Sequence, residues 1–375
     1  MKVLHTSDLH LGKSLSEESF YEDQKYILNE IIKIVEEQNI KVVLISGDIY
    51  DKSIPSAEAE MLFDNFLTVL SKKDVKILIV SGNHDSNERL SYGSKIFNAF
   101  NIHIATKYDG SIPKVQLDNV NFYMLPFLKP FHLKRIASEE EYENINNSND
   151  MMKWILNREN IDKNKINILL AHQFVMWDGN LPEQCDSESI LINNVGTLDA
   201  IDANLLDDFN YVALGHIHRP QKIKRKTIRY SGTPLKYSFS EAKDVKSVVV
   251  FDTNDIENLE LFELKPQREL SVLRGTFEEV MNMKPSDDII KVELEDENTI
   301  ISPMEEIKNR FKNAIALTFI NKNQAICEDI NLEIKEDESP YELFKKFFYE
   351  QNGRELSKEE NEFLQSAIDA VKEDE

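Results

Sequence analysis

Residues 41–51 read KVVLISGDIYD, and this stretch decides the fold class. The almost wholly apolar run at 41–46 indicates a strand that is buried on both faces, as in a parallel sheet between two layers. The run ends at Gly47, and the carboxylates of Asp48 and Asp51 follow at once. In open α/β sheets, side chains that follow a strand in this way line a ligand site. The stretch therefore predicts a buried strand that delivers carboxylates to the edge of a sheet.

The residues on either side of this stretch repeat the arrangement. Residues 2–6 and 76–81 are further strand-like runs. The amphipathic patterns over 17–38 and 56–70 indicate helices between these strands. This alternation of strand and helix predicts an α/β fold with right-handed crossovers.

The rest of the chain is richer in strands and contains two further breaks. A hairpin is predicted across Asp118-Asn119, and a polar helix with an Asn-rich loop is predicted over 139–160. Further strands are predicted at 166–171, 211–214, 228–231, 247–251 and 259–264. Beyond a boundary near Lys265-Pro266 the pattern predicts a small α+β module. Two short amphipathic helices follow after residue 337, and their apolar face either docks on the chain itself or binds a partner.

Composition excludes several kinds of site. The 375 residues include only two cysteines, Cys185 and Cys327, which excludes a disulfide framework and a cysteine-rich zinc site. No apolar run approaches the roughly 18 residues of a membrane span, and the N-terminus turns polar at once, so we expect a cytoplasmic protein without a signal peptide. The net charge of -23 alone argues against nucleic acid, but bound divalent cations would reverse the field locally.

Short polar clusters follow five of the predicted strands. They are Asp8-Leu9-His10, Gly47-Asp48-Ile49-Tyr50-Asp51, Gly82-Asn83-His84-Asp85, Ala171-His172 and Gly215-His216-Ile217-His218. Any one of these clusters alone is mostly accidental, but together they hold five of the eight histidines. Because ligands gather at the carboxyl ends of strands, the joint pattern predicts one composite site.

The types of ligand in these clusters indicate two metal ions. Imidazole, carboxylate and amide groups without thiolate suit manganese, iron or zinc. Seven good ligands are too many for one tetrahedral ion, and with one bridging carboxylate they suit two ions about 3.5–4 Å apart. The glycines before Asp48, Asn83 and His216 would allow close approach of the backbone at crowded turns.

Two other features are expected to have ordinary roles. Gly12-Lys13-Ser14 resembles the end of a phosphate-binding loop, but Ser7 stands where the first glycine of that motif belongs. We therefore expect no nucleotide or other organic cofactor. The histidines outside the clusters, His5, His103 and His132, are expected to be structural.

The set of clusters resembles the motifs of the calcineurin-like metallophosphoesterases. Longer stretches resemble the SbcD family within them, the nuclease subunits of bacterial SbcCD complexes. These stretches are HTSDLHLGKSL at 5–15, SGDIYDKSIPS at 46–56, GNHDS at 82–86, LGHIHRPQ at 214–221, YSGTPLKYSFSE at 230–241 and SPYELFKKFFYEQNGRELS at 339–357. Lys52 is a minor departure, because an arginine is expected there in many relatives.

The resemblance implies a fold of two facing sheets flanked by helices, and a role for each residue of the clusters. The first metal would be held by Asp8, His10, Asp48 and His218. The second would be held by Asp48, Asn83, His172 and His216, with Asp48 as the bridge. His84 would act at the scissile phosphate as general acid or charge stabiliser, with Asp85 orienting it. Both metal ions would be Mn2+.

The resemblance also implies the division of the chain and its partners. Residues 1–266 would form the nuclease domain, 267–337 an α+β capping domain, and 338–375 a helical segment that binds an SbcC-like coiled-coil ATPase. The substrate would be DNA, with exonuclease action on duplex ends and endonuclease action on single-stranded or hairpin DNA, in repair and recombination. A homodimer would form through helices near 56–70 and 89–100. The apolar residues that suit either that contact or the domain's own core are Leu62, Phe66, Leu67, Phe97 and Phe100.

Two rival functions remain at this point. A phosphatase or cyclic-nucleotide phosphodiesterase would use the same fold, but it would not need the capping module and the terminal helices. A non-catalytic scaffold would use the fold only to recruit the ATPase, but then the ligands would not need to be intact.

Overall fold

The computed structural model describes residues 1–188, 200–296, 300–320, 340–352, 354–358, 360–361, 363–365 and 368. The chain folds into two compact units, and each is described by itself. The first contains Met1–Ser271 with Asp287–Ile289, and the second contains Val272–Ser286 with Ile290–Glu375. The finer division at 266 and 337 stays a prediction, and Cys327 lies outside the described residues.

The first unit is built on two six-stranded sheets. The first sheet has the order β16-β15-β1-β4-β5-β6. Its strands are β1 (Lys2–Thr6), β4 (Val42–Ser46), β5 (Lys76–Val80), β6 (Ile102–Ala105), β15 (Ser247–Asp252) and β16 (Asp255–Glu263). β1, β4, β5 and β6 are parallel, whereas β15 runs antiparallel to β1 and to β16.

The second sheet has the order β13-β14-β12-β9-β8-β7. Its strands are β7 (Lys114–Leu117), β8 (Val120–Leu125), β9 (Ile166–His172), β12 (Tyr211–Gly215), β13 (Gln221–Ile223) and β14 (Arg225–Tyr230). β8, β9, β12 and β14 are parallel, and the edge strands β7 and β13 are antiparallel to their neighbours. The short strands outside both sheets are β2 (Ser14–Leu15), β3 (Glu18–Ser19), β10 (Val175–Met176) and β11 (Ile201–Asp202).

The two sheets face each other across one apolar core. Val42 and Leu44 of β4 pack there with Phe122 of β8, Leu170 of β9 and Ala213 of β12. The alternate residues of β4 are buried on its other face, which explains the near-continuous apolar run in the sequence. The predicted α/β class with two facing sheets is therefore confirmed.

Helices cover the outer faces of the sheets in the first unit. The α-helices are α1 (Tyr21–Glu37), α2 (Ala57–Ser71), α3 (Asn87–Leu90), α4 (Ser94–Phe97), α5 (Glu139–Glu143) and α6 (Ser148–Leu156). The 3-10 helices are Asn98–Phe100, Pro130–Arg135, Ala203–Leu206 and Phe239–Glu241. Met151, Met152 and Ile155 of α6 pack on the outer face of the second sheet. The one polar helix predicted over 139–160 is thus two helices, separated at the predicted Asn-rich loop.

The apolar face of α2 lies in the core of its own unit. Leu62, Phe66 and Leu67 are buried at 6%, 3% and 6% exposure, and α2 packs on α1 and β5. A homodimer contact through these three side chains is therefore wrong, because they already fill the space beneath the helix. Phe100, in contrast, is 58% exposed, and Phe97 is half-buried.

The second unit contains a three-stranded sheet with helices. Its strands are β17 (Leu270–Gly275), β18 (Ile289–Leu294) and β19 (Ala314–Phe319), and its helices are α7 (Phe277–Asn282), α8 (Pro303–Arg310) and α9 (Pro340–Asn352). Val280 of α7, Val292 of β18 and Ile307 of α8 share one small core. The predicted second terminal helix is helical where it is described between 358 and 368. Among the described residues, no helix is long and apolar enough to cross a membrane.

Candidate metal centre

The carboxyl ends of strands from both sheets meet at one place. Asp8 and His10 follow β1, Asp48 follows β4 and Asn83 follows β5 in the first sheet. His172 ends β9, and His216 and His218 follow β12 in the second sheet. Because the sheets face each other with these ends on the same side, seven side chains from five loops converge. The structure thus brings together every residue that the sequence analysis proposed as a ligand.

Four of these residues have a backbone conformation that is rare outside glycine. The φ angles are 53° for Asp8, 44° for His10, 48° for Asp48 and 103° for His216. A positive φ brings the Cβ atom of an L-residue close to its own backbone, and such strain gathers at functional sites. Because L-residues disfavour a positive φ, the surrounding sheets must hold these four residues in that backbone conformation.

Two glycines leave room for this crowding. A Cβ atom on Gly82 would lie 2.1 Å from Oδ1 of Asp48, and one on Gly215 would lie 1.8 Å from the carbonyl oxygen of Ser46. Any larger residue would force the loops apart. The glycines before Asn83 and His216 therefore have the close-approach role that the sequence predicted for them.

One group of donor atoms lies around His10 and His218. Their Nε2 atoms are 3.0 Å apart, and Oδ2 of Asp48 lies 3.7 Å from Nε2 of His10. Asp8, His10 and His218 each offer a donor atom, and these atoms lie within 4.8 Å of one another. All four residues are buried. Nitrogen and oxygen donors at such spacing fit around one cation.

A second group lies around Asn83. Its Oδ1 atom is 3.0 Å from Nε2 of His172 and 2.9 Å from Nδ1 of His216. Oδ2 of Asp48 lies 3.4 Å from Nε2 of His172. Asn83 is exposed and His216 is half-buried, so the centre opens to solvent on this side. Asp48 is common to both groups of donors.

The electrostatics of the centre favour added positive charge. Burial, together with the nearby charge of Asp48, raises the pKa of Asp8 to about 7 against the lowering effect of His172. Burial alone would raise the pKa of Asp48, but the imidazoles of His172, His10 and His84 lower it well below its usual range. Two buried carboxylates so close together are stable only with cationic neighbours, which divalent ions would supply.

The imidazoles of the centre differ in their protonation. Burial lowers the pKa of His10 and of His216 to about 3, so both rings are neutral and offer a lone pair. Burial would also lower the pKa of His172, but the carboxylate of Asp48 raises it to about 9. A divalent cation beside Asp48 would replace the proton of His172, because a ligand imidazole must be deprotonated, and the donor set thus fits a pair of divalent cations.

His84 lies beside the donor atoms and is held by its neighbours. Its backbone N–H donates to Oδ1 of Asp48 at 2.9 Å, and Nδ1 of its ring lies 2.8 Å from the carbonyl oxygen of Asp51. Its ring meets that of His10 edge-on, with centroids 4.9 Å apart. His84 thus lies at the edge of the group of donor atoms, next to Asp48 and His10.

Asp85 is buried beside His84 and binds the backbone of two neighbouring loops. Its carboxylate accepts hydrogen bonds from the backbone N–H groups of Gly82 at 2.9 Å, Tyr50 at 3.1 Å and Ile49 at 3.2 Å. Nδ1 of His84 has the carbonyl oxygen of Asp51 as its partner, and the orienting role of Asp85 stays a prediction. Asp85 ties together the loops that carry Asp48 and Asn83.

Sequence reasoning missed the residues that surround His218. Ser187, Glu188, Glu241 and Lys246 all contact this histidine or one another. Glu241 lies in the stretch at 230–241 that carries the family resemblance, which was the only available signal. Ser187 and Glu188 lie in a loop with no motif around them.

Comparisons with known proteins agree with this geometry. Residues 1–220 match the sequence profile of the calcineurin-like phosphoesterases, and residues 266–352 match that of the type 5 capsule protein repressor C-terminal domain. A relative from Staphylococcus saprophyticus, named as the SbcD component of the nuclease SbcCD, is 31% identical over 100% of this chain and 99% of its own. The protein of the same name from Staphylococcus epidermidis is 32% identical, over 98% of this chain and 99% of its own.

The chain is also similar to the solved structure of a dimetal phosphatase from Danio rerio, with 13% identity and a TM-score of 0.36 over 66% of this chain and 91% of that one. The sequence matches carry the assignment, because they span the whole length of the chain. The chain therefore belongs to the calcineurin-like phosphoesterases and, within them, to the SbcD family.

Proposed function

We propose that this chain is a metal-dependent DNA nuclease that hydrolyses phosphodiester bonds at a pair of cations. The observation that carries the proposal is the position of Asp48, whose Oδ2 atom lies 3.7 Å from Nε2 of His10 and 3.4 Å from Nε2 of His172. A carboxylate between two donor groups suits a bridge between two ions. The full-length relatives are named as a component of the nuclease SbcCD, and this name supports a nuclease.

The proposed cations would have the ligands that the family resemblance implies. One would be held by Asp8, His10, Asp48 and His218. The other would be held by Asp48, Asn83, His172 and His216. Mn2+ is the proposed ion in both places, because it accepts nitrogen, carboxylate and amide ligands together.

The residues of the centre would divide the work of hydrolysis among them. When bound, the cations would activate a water near neutral pH and offset charge on the phosphate. His84 would hold a proton at Nε2 and donate it to the leaving sugar oxygen, or stabilise charge there. The carbonyl of Asp51 would fix the ring through Nδ1–H. Asp85 would act through the backbone, by holding the loops of Asp48 and Asn83 together.

DNA ends and hairpins are the proposed substrates, with exonuclease action on duplex ends and endonuclease action on single-stranded or hairpin DNA. Such a nuclease would serve DNA repair and recombination in the cytoplasm. The second unit supports this reading over a small-substrate phosphatase, which has no need for an added module.

A coiled-coil ATPase of the SbcC type is the proposed protein partner. The name of the relatives describes one component of a complex. Helix α9 exposes Phe344 and Phe347 at 43% and 46%, and Phe363 beyond it is 75% exposed. Large apolar side chains in such number at one end of a chain suit a helix-in-groove contact.

A homodimer is the proposed assembly of the first unit. Met61 on α2 and Ile96 on α4 are 63% and 67% exposed, and Tyr92 between α3 and α4 is 85% exposed. The ion pair between Arg89 and Glu60, with N and O atoms 3.9 Å apart, places α3 beside α2. These helices therefore offer a surface that includes the expected Phe100 but is otherwise made of residues not expected from the sequence.

A comparison of substrates tests the proposed function. The purified chain with Mn2+ would be given end-labelled duplex DNA, hairpin DNA and a small chromogenic phosphodiester, with and without the ATPase. We expect DNA cleavage that is faster than hydrolysis of the small ester. Turnover of the small ester with DNA left intact in every arm would favour the phosphatase instead.

The role of His84 has its own test in the same assay. The change His84→Ala should leave both metal ions bound and lower the rate of DNA cleavage by about 10²–10⁴-fold, because the proton donor is lost. His103→Ala, which alters a half-buried histidine on the edge strand β6, serves as the control. Cleavage by His84→Ala at the wild-type rate would show that His84 has been given the wrong role.

A further inference from the structure

His218 is held by the protein at every polar atom except Nε2. Its backbone N–H donates to Oε1 of Glu188 at 2.7 Å. Its carbonyl oxygen accepts from Nζ of Lys246 at 2.8 Å and from the backbone N–H of Thr233 at 3.1 Å. Nδ1 of its ring lies 2.6 Å from the hydroxyl of Ser187. The remaining atom, Nε2, faces Nε2 of His10 in the metal centre.

A buried ion pair lies behind Ser187. Its hydroxyl donates to Oε1 of Glu241 at 2.5 Å, and Oε2 of Glu241 accepts from Nζ of Lys246 at 2.6 Å. The side chains of Lys246 and Glu241 are only 3% and 0% exposed. A continuous chain of hydrogen bonds therefore runs from Lys246 through Glu241 and Ser187 to the ring of His218.

This chain of hydrogen bonds fixes which nitrogen of His218 carries the proton. An ionised carboxylate such as Glu241 can only accept, so the single hydroxyl proton of Ser187 must point toward Glu241. The oxygen of Ser187 is then left to accept, and Nδ1 of His218 must be the donor. In the neutral ring the lone pair is consequently on Nε2, which is the form that binds a metal ion.

Stability gives little reason for this ion pair. Two charges buried from water lose hydration that their attraction only partly restores, so apolar residues in their place are often no worse. Ser187 and Lys246 bring both ends of the pair to His218, one at the ring and one at the backbone carbonyl. Both charged residues of the pair are thus linked to His218 by hydrogen bonds, Lys246 directly and Glu241 through Ser187.

The other ligand histidines are held differently. Nδ1 of His172 lies 2.8 Å from a backbone carbonyl, and Nδ1 of His10 has no hydrogen-bond partner among the described residues, with Oδ1 of Asp51 at 3.6 Å. Nδ1 of His216 lies 2.9 Å from Oδ1 of Asn83, which is itself a proposed ligand. In none of these cases does a hydrogen-bonded side chain from outside the ligand set orient the ring through Nδ1. His218 is therefore the ligand whose orientation a substitution behind the centre can release.

We propose that Ser187, Glu241 and Lys246 form a positioning relay that locks the Nδ1–H tautomer of His218 and aims its Nε2 at the first cation. These residues contact Nδ1 and the backbone carbonyl of His218, not its Nε2. The proposal rests on the proposed pair of metal ions. It predicts that these residues strengthen the binding of the first ion and leave the affinity of the second unchanged. Hydrogen-bond partners behind a ligand typically change metal affinity by about 10–100-fold.

The change Ser187→Ala breaks the relay at its link to the ring. We expect Mn2+ titration of the full chain, followed by calorimetry, to show one of the two ions bound about 10–100-fold more weakly and the other unchanged. At limiting Mn2+, the electron paramagnetic resonance spectrum should change from that of a coupled pair to that of isolated Mn2+. Ser187→Thr keeps the hydroxyl and should restore both measurements.

A matched control is available in the same region. Ser240 accepts a hydrogen bond from the backbone N–H of Asp186 at 2.9 Å, so it holds the segment that carries Ser187. Ser240→Ala removes a hydroxyl of the same size that reaches the relay only indirectly, through the hydroxyl of Ser238, and it should leave both Mn2+ affinities unchanged. Equal weakening of both ions in Ser187→Ala, or the same effect in Ser240→Ala, would show a merely structural role and overturn the proposal.

The two proposals fail in different ways in this experiment. A wild-type chain that binds no pair of Mn2+ ions would overturn the proposed metal centre itself. A wild-type chain that binds two ions, with a Ser187→Ala variant that binds both equally tightly, would overturn the relay and leave the nuclease proposal standing.

Discussion

At the scale of single residues, the backbone at the metal centre is packed so closely that some positions cannot hold a Cβ atom. Gly215 has an ordinary φ, yet a Cβ atom there would lie 1.8 Å from the carbonyl oxygen of Ser46 and 2.9 Å from Nδ1 of His172. Gly179 presents the opposite case, because it has a φ of +73° and nothing within 4 Å of its Cβ position. One glycine is required by space and the other by conformation.

The two glycines predict different results for the same substitution. Gly215→Ala should lower the free energy of unfolding by about 3 kcal/mol and reduce metal occupancy, because it pushes His172 out of place. Gly179→Ala should cost about 1 kcal/mol from the left-handed backbone alone and leave metal occupancy unchanged. Chemical denaturation and elemental analysis measure both effects. Full metal occupancy in a stable Gly215→Ala variant would contradict this explanation of the crowded centre.

Sequence reasoning found the residues that converge at the centre but not the residues that support them. Histidine, carboxylate and amide types directly after strands were visible, because residue type and strand position are local properties of a sequence. The positive φ of Asp8 and His10 was not visible, since the sheets impose it. Ser187 and His218 are in contact although they lie 31 residues apart in the sequence, and no motif marks Ser187.

At the scale of elements, helix α2 shows which structural features the helical spacing of apolar residues can predict and which it cannot. The pattern correctly predicted a helix with one buried face, and Ser56 caps it by accepting from the N–H of Ala59. The pattern could not tell whether that face meets the same chain or a second copy. Leu62 and Phe66 of α2 fill the core. Met61 on α2 and Ile96 on α4 are apolar side chains that are exposed instead.

The exposed surface of α2 and α4 gives a prediction for the dimer. The double change Met61→Glu and Ile96→Glu should raise the dimer dissociation constant by about tenfold or more, because two charges would be buried without partners. Light scattering over a dilution series measures this. Leu261→Glu, on the edge strand β16 and 53% exposed in the wild type, is the matched control. An unchanged constant in the double variant would place the contact elsewhere.

At the scale of the whole molecule, two of the carboxylates behind the net charge of -23 are buried at the metal centre. Asp8 and Asp48 lie buried where cations would offset them, so these carboxylates do not repel DNA as surface charges would. The predicted class was confirmed, and ten of the twelve strands in the two large sheets were predicted, with β6 and β13 missed. The sequence alone could not give the facing of the sheets, which depends on the shared core between them.

Substitutions in the second unit should abolish binding of the ATPase partner without affecting the metal centre. The double change Phe344→Glu and Phe347→Glu on α9 should abolish co-purification with the coiled-coil ATPase and leave metal binding intact, because the apolar contact becomes charged. Ile301→Glu, at a residue of the same unit that is 85% exposed, controls for added surface charge. Retention of the ATPase by the α9 variant would remove that helix from the proposed interface.

Every proposed step of hydrolysis requires that groups from two sheets hold two cations side by side and share Asp48. Anomalous diffraction at the manganese edge, on crystals loaded with Mn2+, locates such ions directly. We expect two peaks about 3.5–4 Å apart, both in contact with the carboxylate of Asp48. A single peak, or two peaks of which only one contacts Asp48, would contradict the proposed centre.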